Sequence, residues 1–457
     1  MLFLLLAGWI LAAPAVAQEP EPPVRVVIDV RTTHSDGKHG MDELVSWAAK
    51  RGIQALAFTE HDRQGIRFGL EPIPNILGYT YERPSLYSTG LAEFFDDLHR
   101  ARKKFPHMAL MAGTESMPSY YWTGIPFQDL TLHEADRHLI TLGVESPEQV
   151  EALPSFDLRH VRQHPWISLA VWGGLALLSL LLIFVLHRKL VPVLVLLCSC
   201  TALYFSVMDK EEIDPDEDFI QQAREQGLFA VWTHPATRSG YYDGPMGVKL
   251  STPSYSTRVF QDPTADAFTA KYGDNETSTL AGGMWDRYLL AYMNGLHKRP
   301  IWAVSAGDFH FQNMAGEALG NYPMDVWAEK KSPEAILKGM RNGHAVAWVM
   351  PSDRNIGIKH LTLVDMRGTS LIPGDEKRVT SQLQLYLELV DLTPSQSPAV
   401  PFNQNIEVIV DGKVAIRSQL DLSAPLEETL LLAPGPHVIR VRSFQMEANP
   451  FLVHVLG

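Results

Sequence analysis

The sequence predicts an α/β fold: a domain of alternating strands and helices, interrupted by a transmembrane helical hairpin and followed by a small all-β, sandwich-like domain. Three observations carry this expectation. Between Val27 and Asp62 an apolar strand, an amphipathic helix and a second apolar strand follow one another. Two uncharged runs of about twenty residues each lie between Pro165 and Met208. Beyond about Ser352 apolar and polar residues alternate with the period of a half-buried strand. The expected boundaries are 1–17 for a signal peptide, 24–164 and 209–350 for the two parts of the α/β domain, 165–208 for the hairpin and 353–457 for the β domain.

The opening unit organises the rest. Met41, Leu44, Val45, Ala48 and Ala49 recur at helical spacing and Gly52 stops the helix. A strand, a helix and a strand in that order make a parallel βαβ unit, so the polar ends of both strands fall at one edge of the sheet. Those ends are Thr32-Thr33-His34-Ser35-Asp36-Gly37 and Thr59-Glu60-His61-Asp62. Ligand groups on them can converge.

Composition limits what can be built. The chain has 457 residues, 46% hydrophobic and 20% charged, enough for one large and one smaller domain. Lys plus Arg total 39 against 52 Asp plus Glu, a formal net charge of -13. That balance argues against broad electrostatic binding to nucleic acid. Cys198 and Cys200 lie inside an apolar run and read as small packing residues of a membrane helix, not a disulfide framework or a zinc pair.

The amino terminus is an apolar core followed by Ala15-Val16-Ala17 and a spacer rich in Pro and Glu, the pattern of a secretory signal peptide. Pro165 to Leu186 carries no charge, and after His187-Arg188-Lys189 a second uncharged run extends from Leu190 to Met208. As helices such runs reach about 30 Å, the thickness of a hydrocarbon core. Trp166, Trp172 and Tyr204 near the ends suit interfacial placement. Arg188 and Lys189 in the turn place that turn on the cytoplasmic side, and Arg159 and Arg162 weigh against it. The expectation is an inner-membrane protein with residues 18–164 and 209–457 together on the periplasmic, extracytoplasmic side.

Along the remainder, residues 63–107 begin with a Pro-, Gly- and Tyr-rich loop expected above the polar edge, then a helix from about Leu91 to Lys104. A helix over Asp214–Gln226 leads into a strand at Leu228–Thr233, residues 236–282 read as loop, and Met284–Gly295 as helix. Ser332 caps a helix from Pro333 to Asn342 that ends at Gly343 and would close the α/β domain. In the last hundred residues Leu383 to Leu389 and Ile406 to Val410 alternate, and Asp411-Gly412 makes a tight turn. His437 and His454 there are ordinary strand residues, and a protein-contact role is the default for the domain.

Further anchors follow in order: Gly113-Thr114-Glu115, His138 in Arg137-His138-Leu139-Ile140, His234 in Trp232-Thr233-His234-Pro235, and Asp308-Phe309-His310, each read as ending an apolar strand-like run. With Ser35-Asp36-Gly37 and Thr59-Glu60-His61-Asp62, this ordered set resembles the polymerase and histidinol phosphatase (PHP) superfamily of metallohydrolases. The resemblance covers roughly residues 24–345 without the hairpin and reaches neither the hairpin nor the β domain. It implies a distorted (β/α)7 barrel holding up to three metals at one edge. By position, Glu115, His138 and His234 match one site, and Asp36, His61 and His310 a second. The third uses a His-x-His pair on the first strand with the equivalents of Glu115 and Asp308. Here Asp29 and Arg31 stand at the pair. Aspartate can ligate a metal and arginine, which stays protonated, cannot.

The resemblance therefore implies a metal-dependent hydrolase, most plausibly a phosphoesterase with two divalent ions; ester or amide hydrolysis stays open. Mixed imidazole and carboxylate ligands suit zinc, manganese or iron alike. Such ions bind a phosphate or carbonyl oxygen and activate water near neutral pH. Glu115 would bridge or neighbour the ions and Asp308 would orient or deprotonate the attacking water. Arg31 has two readings: a salt bridge to Asp29 or Asp308, or an electrophile gripping the substrate. His34 and His39 read as surface histidines, His107, His133, His297 and His344 as structural, and Glu60 as a support for its neighbour His61. The membrane hairpin points to a lipid-headgroup ester as substrate. The other class is a degenerate relative that binds a ligand or protein at the membrane surface without turnover.

Overall fold

The computed structural model describes residues 22–70, 73, 76–125, 128–154, 165–186, 189–207, 214–236, 240–244, 247–261, 265–272, 277–314, 318–350, 354–393 and 402–457. The signal peptide expected over 1–17, Arg159, Arg162 and Arg188 lie outside the described residues.

The βαβ opening consists of β1 (Val24–Val30), α1 (Met41–Lys50) and β2 (Ala55–His61), with β1 and β2 parallel. Met41, Leu44, Val45 and Ala48 of α1 are buried, the face that the helical spacing marks. Next come the hairpin β3 (Gln64–Gly69) and β4 (Gly78–Arg83), the short α2 (Leu86–Thr89), α3 (Leu91–Lys104) and β5 (Ala109–Ser116), which is parallel to β2. The stretch expected as a loop thus holds a β-hairpin. Its Ile66 and Phe68 pack on Met117, Tyr120 and Trp122, and that contact orders it.

Two short strands, β6 (Tyr121–Thr123) and β7 (Thr131–His133), precede β8 (Leu139–Val144). α4 (Pro147–Glu151), α5 (Pro165–Val185), α6 (Leu190–Val207) and α7 (Pro215–Glu225) lead to β9 (Phe229–Trp232). Then follow β10 (Gly240–Asp243), β11 (Lys249–Thr252), α8 (Ser256–Gln261), β12 (Ala267–Lys271), α9 (Met284–Met293), β13 (Trp302–Ser305), β14 (Pro323–Val326), α10 (Pro333–Arg341) and β15 (Ala345–Trp348). The stretch expected as loop between 236 and 282 contains three strands. One of them, β12, runs parallel to both β9 and β13 inside the main sheet.

The sheet order is β13-β12-β9-β8-β5-β2-β1-β14-β15. It curls back on itself. Val30 at the end of β1 bridges Phe309 just after β13, Arg31 N donates to the Phe309 carbonyl and Phe309 N donates to the Asp29 carbonyl, both at 2.9 Å. Backbone of β1 therefore closes the ring, and α10 packs on β5, β8 and β14. β8 is antiparallel to both β5 and β9.

The transmembrane hairpin is corrected by the structure, and with it the inner-membrane placement. Among the described residues no helix is long and apolar enough to cross a membrane. α5 and α6, 21 and 18 residues long, fall on the two uncharged runs. The two helices pack on each other and leave Leu177, Phe184 and Val191 exposed.

The carboxyl-terminal unit comprises β16 (Ile356–Asp365), β17 (Ser370–Leu371), β18 (Glu376–Val379), β19 (Gln382–Asp391), β20 (Asn403–Val410), β21 (Lys413–Asp421), β22 (Leu426–Leu431), β23 (Gly435–Arg442), β24 (Met446–Ala448) and β25 (Phe451–Val455). One layer, β17-β16-β19-β22, faces a second built on β24-β23-β20-β21. Leu383, Leu385 and Leu387 from the first meet Val408, Ile439 and Val441 from the second in a shared core. The second layer is no separate sheet, because β24 pairs with β15 and carries the barrel sheet onward. Asp411 and Gly412 both have positive φ, as a tight hairpin turn requires.

Candidate metal centre

Every proposed ligand lies at one edge of the barrel. Asp36 follows β1, His61 ends β2, Glu115 lies near the end of β5, His234 follows β9, and Asp308 and His310 follow β13. His138 corrects the expectation that each anchor ends a strand, because it precedes β8. It reaches the same edge because β8 runs against its neighbours, so the start of that strand lies where the others finish.

The backbone is bent to aim these groups. The β1–β2 register shifts between Val27 and Val30, and Asp29 in that irregularity has φ 69°. His234 at 33° and Asp308 at 43° also lie in the left-handed region. Non-glycine residues seldom enter it, and each such residue costs on the order of 1–3 kcal/mol. Three of them at one edge locate the site independently of residue type. Gly37 is needed for another reason: a Cβ there would come within 2.6 Å of the Arg31 carbonyl group.

Two clusters are complete. In one, Asp36 Oδ2 lies 3.6 Å from His61 Nε2 and 3.5 Å from His310 Nε2. In the other, Glu115 Oε1 lies 3.2 Å from His138 Nδ1 and 3.3 Å from His234 Nε2. The second oxygen of Glu115 is 3.4 Å from His61 Nδ1, so this carboxylate connects the clusters. Ligands at tetrahedral positions about 2.0–2.1 Å from an ion sit roughly 3.3 Å apart, which these separations match.

Polar bookkeeping supports the fit to cations. Asp36 Oδ1 and His138 Nδ1 are buried and make no hydrogen bond among the described residues. His310 Nδ1 donates to the Asp308 carbonyl at 2.7 Å, which turns Nε2 toward Asp36 as a ligand. Glu60 is fully buried and accepts from Thr32 N at 3.0 Å and Ser35 Oγ at 2.5 Å. It holds the loop that carries Asp36.

The electrostatics are those of a dense, dry cluster. Burial, then the neighbouring Arg31 cation, pushes His61 down to about 3. Burial opposes charge on His234, but the hydrogen bond to Glu115 and the field of Asp308 prevail and move it up to about 9. Burial works against charge on Glu115 as well, yet Arg31 and His138 hold it well below the usual carboxylate range. Partial burial, then the negative charges of Asp29 and Glu115, raises Asp308.

A third group of carboxylates, Asp29, Glu115 and Asp308, converges beside these two. It does not fit a metal ion as it stands. The Arg31 guanidinium, fully buried, fills it: Nη1 donates to Asp29 Oδ1 at 2.7 Å and Thr59 Oγ1 at 2.9 Å, and Nη2 reaches Glu115 and, at 3.4 Å, Asp308. The side chain of Asp308 is 47% exposed, unlike Asp29 and Glu115, and faces the mouth of the site.

Sequence reasoning passes over Gln64, whose Nε2 lies 3.5 Å from Asp36 Oδ2, and Tyr272, whose ring stands against His234. Only the position of the Pro- and Tyr-rich stretch above this edge hinted at the first. A larger cleft of about 600 Å³ lies on the carboxyl-terminal unit at Arg417, Arg442 and Phe444, away from the ligands.

Fold and site together define a barrel with two carboxylate–imidazole clusters at one edge, the class of a candidate divalent-metal protein. No family model matches the chain, and no curated protein matches it. Among solved structures it is similar to a two-domain protein from Bacteroides vulgatus containing a predicted PHP-like metal-dependent phosphoesterase, at 11% identity over 96% of this chain and 98% of that one, with a TM-score of 0.40. It is also similar to a proposed metal-dependent phosphoesterase from Bifidobacterium adolescentis, at 15% identity over 65% and 92%, with a TM-score of 0.30. An amidohydrolase from Chromobacterium violaceum with bound sulfate and no metal matches at 15% identity over 62% and 87%, with a TM-score of 0.28. Likenesses of this order carry no argument about function, which rests on the side chains.

Proposed function

We propose that the protein is a metal-dependent hydrolase, acting on phosphoesters, with one divalent ion held by Asp36, His61 and His310 and another by Glu115, His138 and His234. The observation that carries this reading is the pair of complete clusters joined through Glu115. Bound there, such ions supply Lewis acidity toward a phosphoryl oxygen and acidify water near neutral pH.

The chain's own groups complete the chemistry. Asp308 is the partly exposed carboxylate at the rim, with a raised pKa, so its Oδ atoms can orient the attacking water and take up its proton. Arg31 has both terminal nitrogens engaged by Asp29, Thr59, Glu115 and Asp308, which favours a fixed counter-charge over a hand for the substrate. The expectation of a lipid-headgroup substrate rested on a membrane hairpin and is not carried forward.

Arg31 in the third group favours a second reading, a relic that binds without turnover. Elemental analysis of the purified full chain, joined to a metal-replete screen of phosphomonoesters and phosphodiesters, separates the two. Two tightly held ions per chain with turnover is the expected result. A chain that retains no ion and hydrolyses no ester overturns the hydrolase.

A further inference from the structure

A cleft of about 400 Å³, within the range of small-ligand sites, opens beside the Asp36–His61–His310 cluster. Its wall is the β3–β4 hairpin, which begins three residues after His61 and touches the cluster through Gln64 and Asp36. Arg63, Arg67 and Arg83 all line it, against one carboxylate, Glu82. In a chain of net charge -13 this is a local inversion of sign.

Two of these guanidiniums, those of Arg63 and Arg83, are not neutralised by the fold. Among the described residues neither Arg63 nor Arg83 has a carboxylate within ion-pair distance, whereas Arg25, Arg137, Arg258 and Arg440 all do. Arg63 stacks on the ring of Tyr87, with its Cζ 3.8 Å from the centroid, and its buried Nε makes no hydrogen bond. The stacking fixes the plane of the fork while leaving an N–H to be satisfied. Cross-strand pairing puts Arg83 opposite Gln64, the residue that reaches the metal cluster. A planar, permanently charged fork suits the oxygens of a phosphoryl group.

We propose that this cleft is a second-phosphate subsite, so that the substrate carries a further phosphoryl group besides the ester hydrolysed at the ions. The proposal deepens the phosphoesterase reading and rests on it for the reaction, though not for the binding. A doubly phosphorylated small molecule is anchored by Arg63 and Arg83 at one end and presents its other phosphate to Asp36, His61 and Glu115.

The test uses the metal-replete full chain, with fructose 1,6-bisphosphate and fructose 6-phosphate as a matched pair. Wild type is expected to prefer the bisphosphate in kcat/KM by about ten- to a hundredfold, the worth of one or two charge-assisted hydrogen bonds. In Arg83→Ala and Arg63→Ala that ratio falls toward one, mainly through KM, and Arg83→Lys retains part of it. Arg83 is exposed, so its removal spares the fold. Inorganic pyrophosphate, titrated calorimetrically into wild type and Arg83→Ala, reads the subsite without turnover and is expected to bind the variant at least about tenfold more weakly. Equal kcat/KM for the two sugars, or equal pyrophosphate affinity in both proteins, overturns the subsite. Absence of metal and of all ester hydrolysis overturns the hydrolase instead, and the titration still decides on the cleft.

Discussion

The carboxylate of Asp29 and the guanidinium of Arg31, two residues apart at the end of the first strand, form a fully buried ion pair at 2.7 Å inside a group of three carboxylates. A fixed cation occupies the place where an exchangeable one could sit. Replacing Arg31 by Met leaves Asp29, Glu115 and Asp308 without it, which should destabilise the metal-free protein by about 3–5 kcal/mol. Added manganese or zinc should then raise the melting temperature of Arg31→Met more than that of wild type, and elemental analysis should find one more ion per chain. Identical ion content in both proteins would show that the third group has no affinity of its own.

Glu115 and His310 should differ in what they remove. Glu115 touches both clusters, so Glu115→Ala should lose both ions and reduce kcat/KM roughly hundredfold or more, while His310→Ala should lose one. Metal content measured on the two variants checks this. Retention of both ions in Glu115→Ala would mean that the clusters are not joined through this side chain.

Asp216 offers a pH test away from the metal ligands. Burial, opposed by Arg137, pushes it up to about 6 from an ordinary value near 3.8. The folded state then holds the proton more tightly than the unfolded one, so the contribution of the neutral acid is present below about pH 4 and lost as pH rises through about 6. Relative to Asp216→Asn, wild type should lose up to about 3 kcal/mol over that interval. Denaturant unfolding of both proteins at pH 4, 5, 6 and 7 measures it. A difference that does not change with pH would contradict the assignment.

Arg440 ties the two units together. Its guanidinium is fully buried and donates to Asp286 on α9 and Glu447 on β24, both at 2.6 Å, and to the Thr279 carbonyl at 2.9 Å. Arg440→Met should cost about 3–5 kcal/mol because buried Asp286 loses its ion-pair partner and Glu447 keeps only Arg442. One cooperative transition in wild type that splits in the variant, seen by calorimetry, is the expected signature; an unchanged melting profile would make the contact incidental.

The parts of this architecture written in local pattern were legible from the sequence. The period of α1 marked its buried face, α3 falls on Leu91–Lys104, and the alternation from Leu383 onward marks the inner face of β19. The direction of β8 was not legible, since an apolar run reads the same whichever way its neighbours point, and His138 was therefore assigned to the wrong end of a strand. β12 was missed because Ala267–Lys271 is short and its burial comes from the strands on either side. The ligand types at the clusters could be read off, but the filling of the third group could not, because it depends on where the Arg31 side chain goes. The charge-free runs at 165–208 do fold as α5 and α6, but the membrane assignment drawn from them fails, since among the described residues no helix is long and apolar enough to cross a membrane.

The unbroken ladder from β14 through β15 into β24 has a mechanical consequence. Swinging one unit away from the other would require tearing backbone hydrogen bonds and exposing the apolar seam between them, so the pair moves as a single stiff frame. The arginine-bearing hairpin after His61, which reaches Asp36 through Gln64, is therefore held against a rigid support beside the ligands.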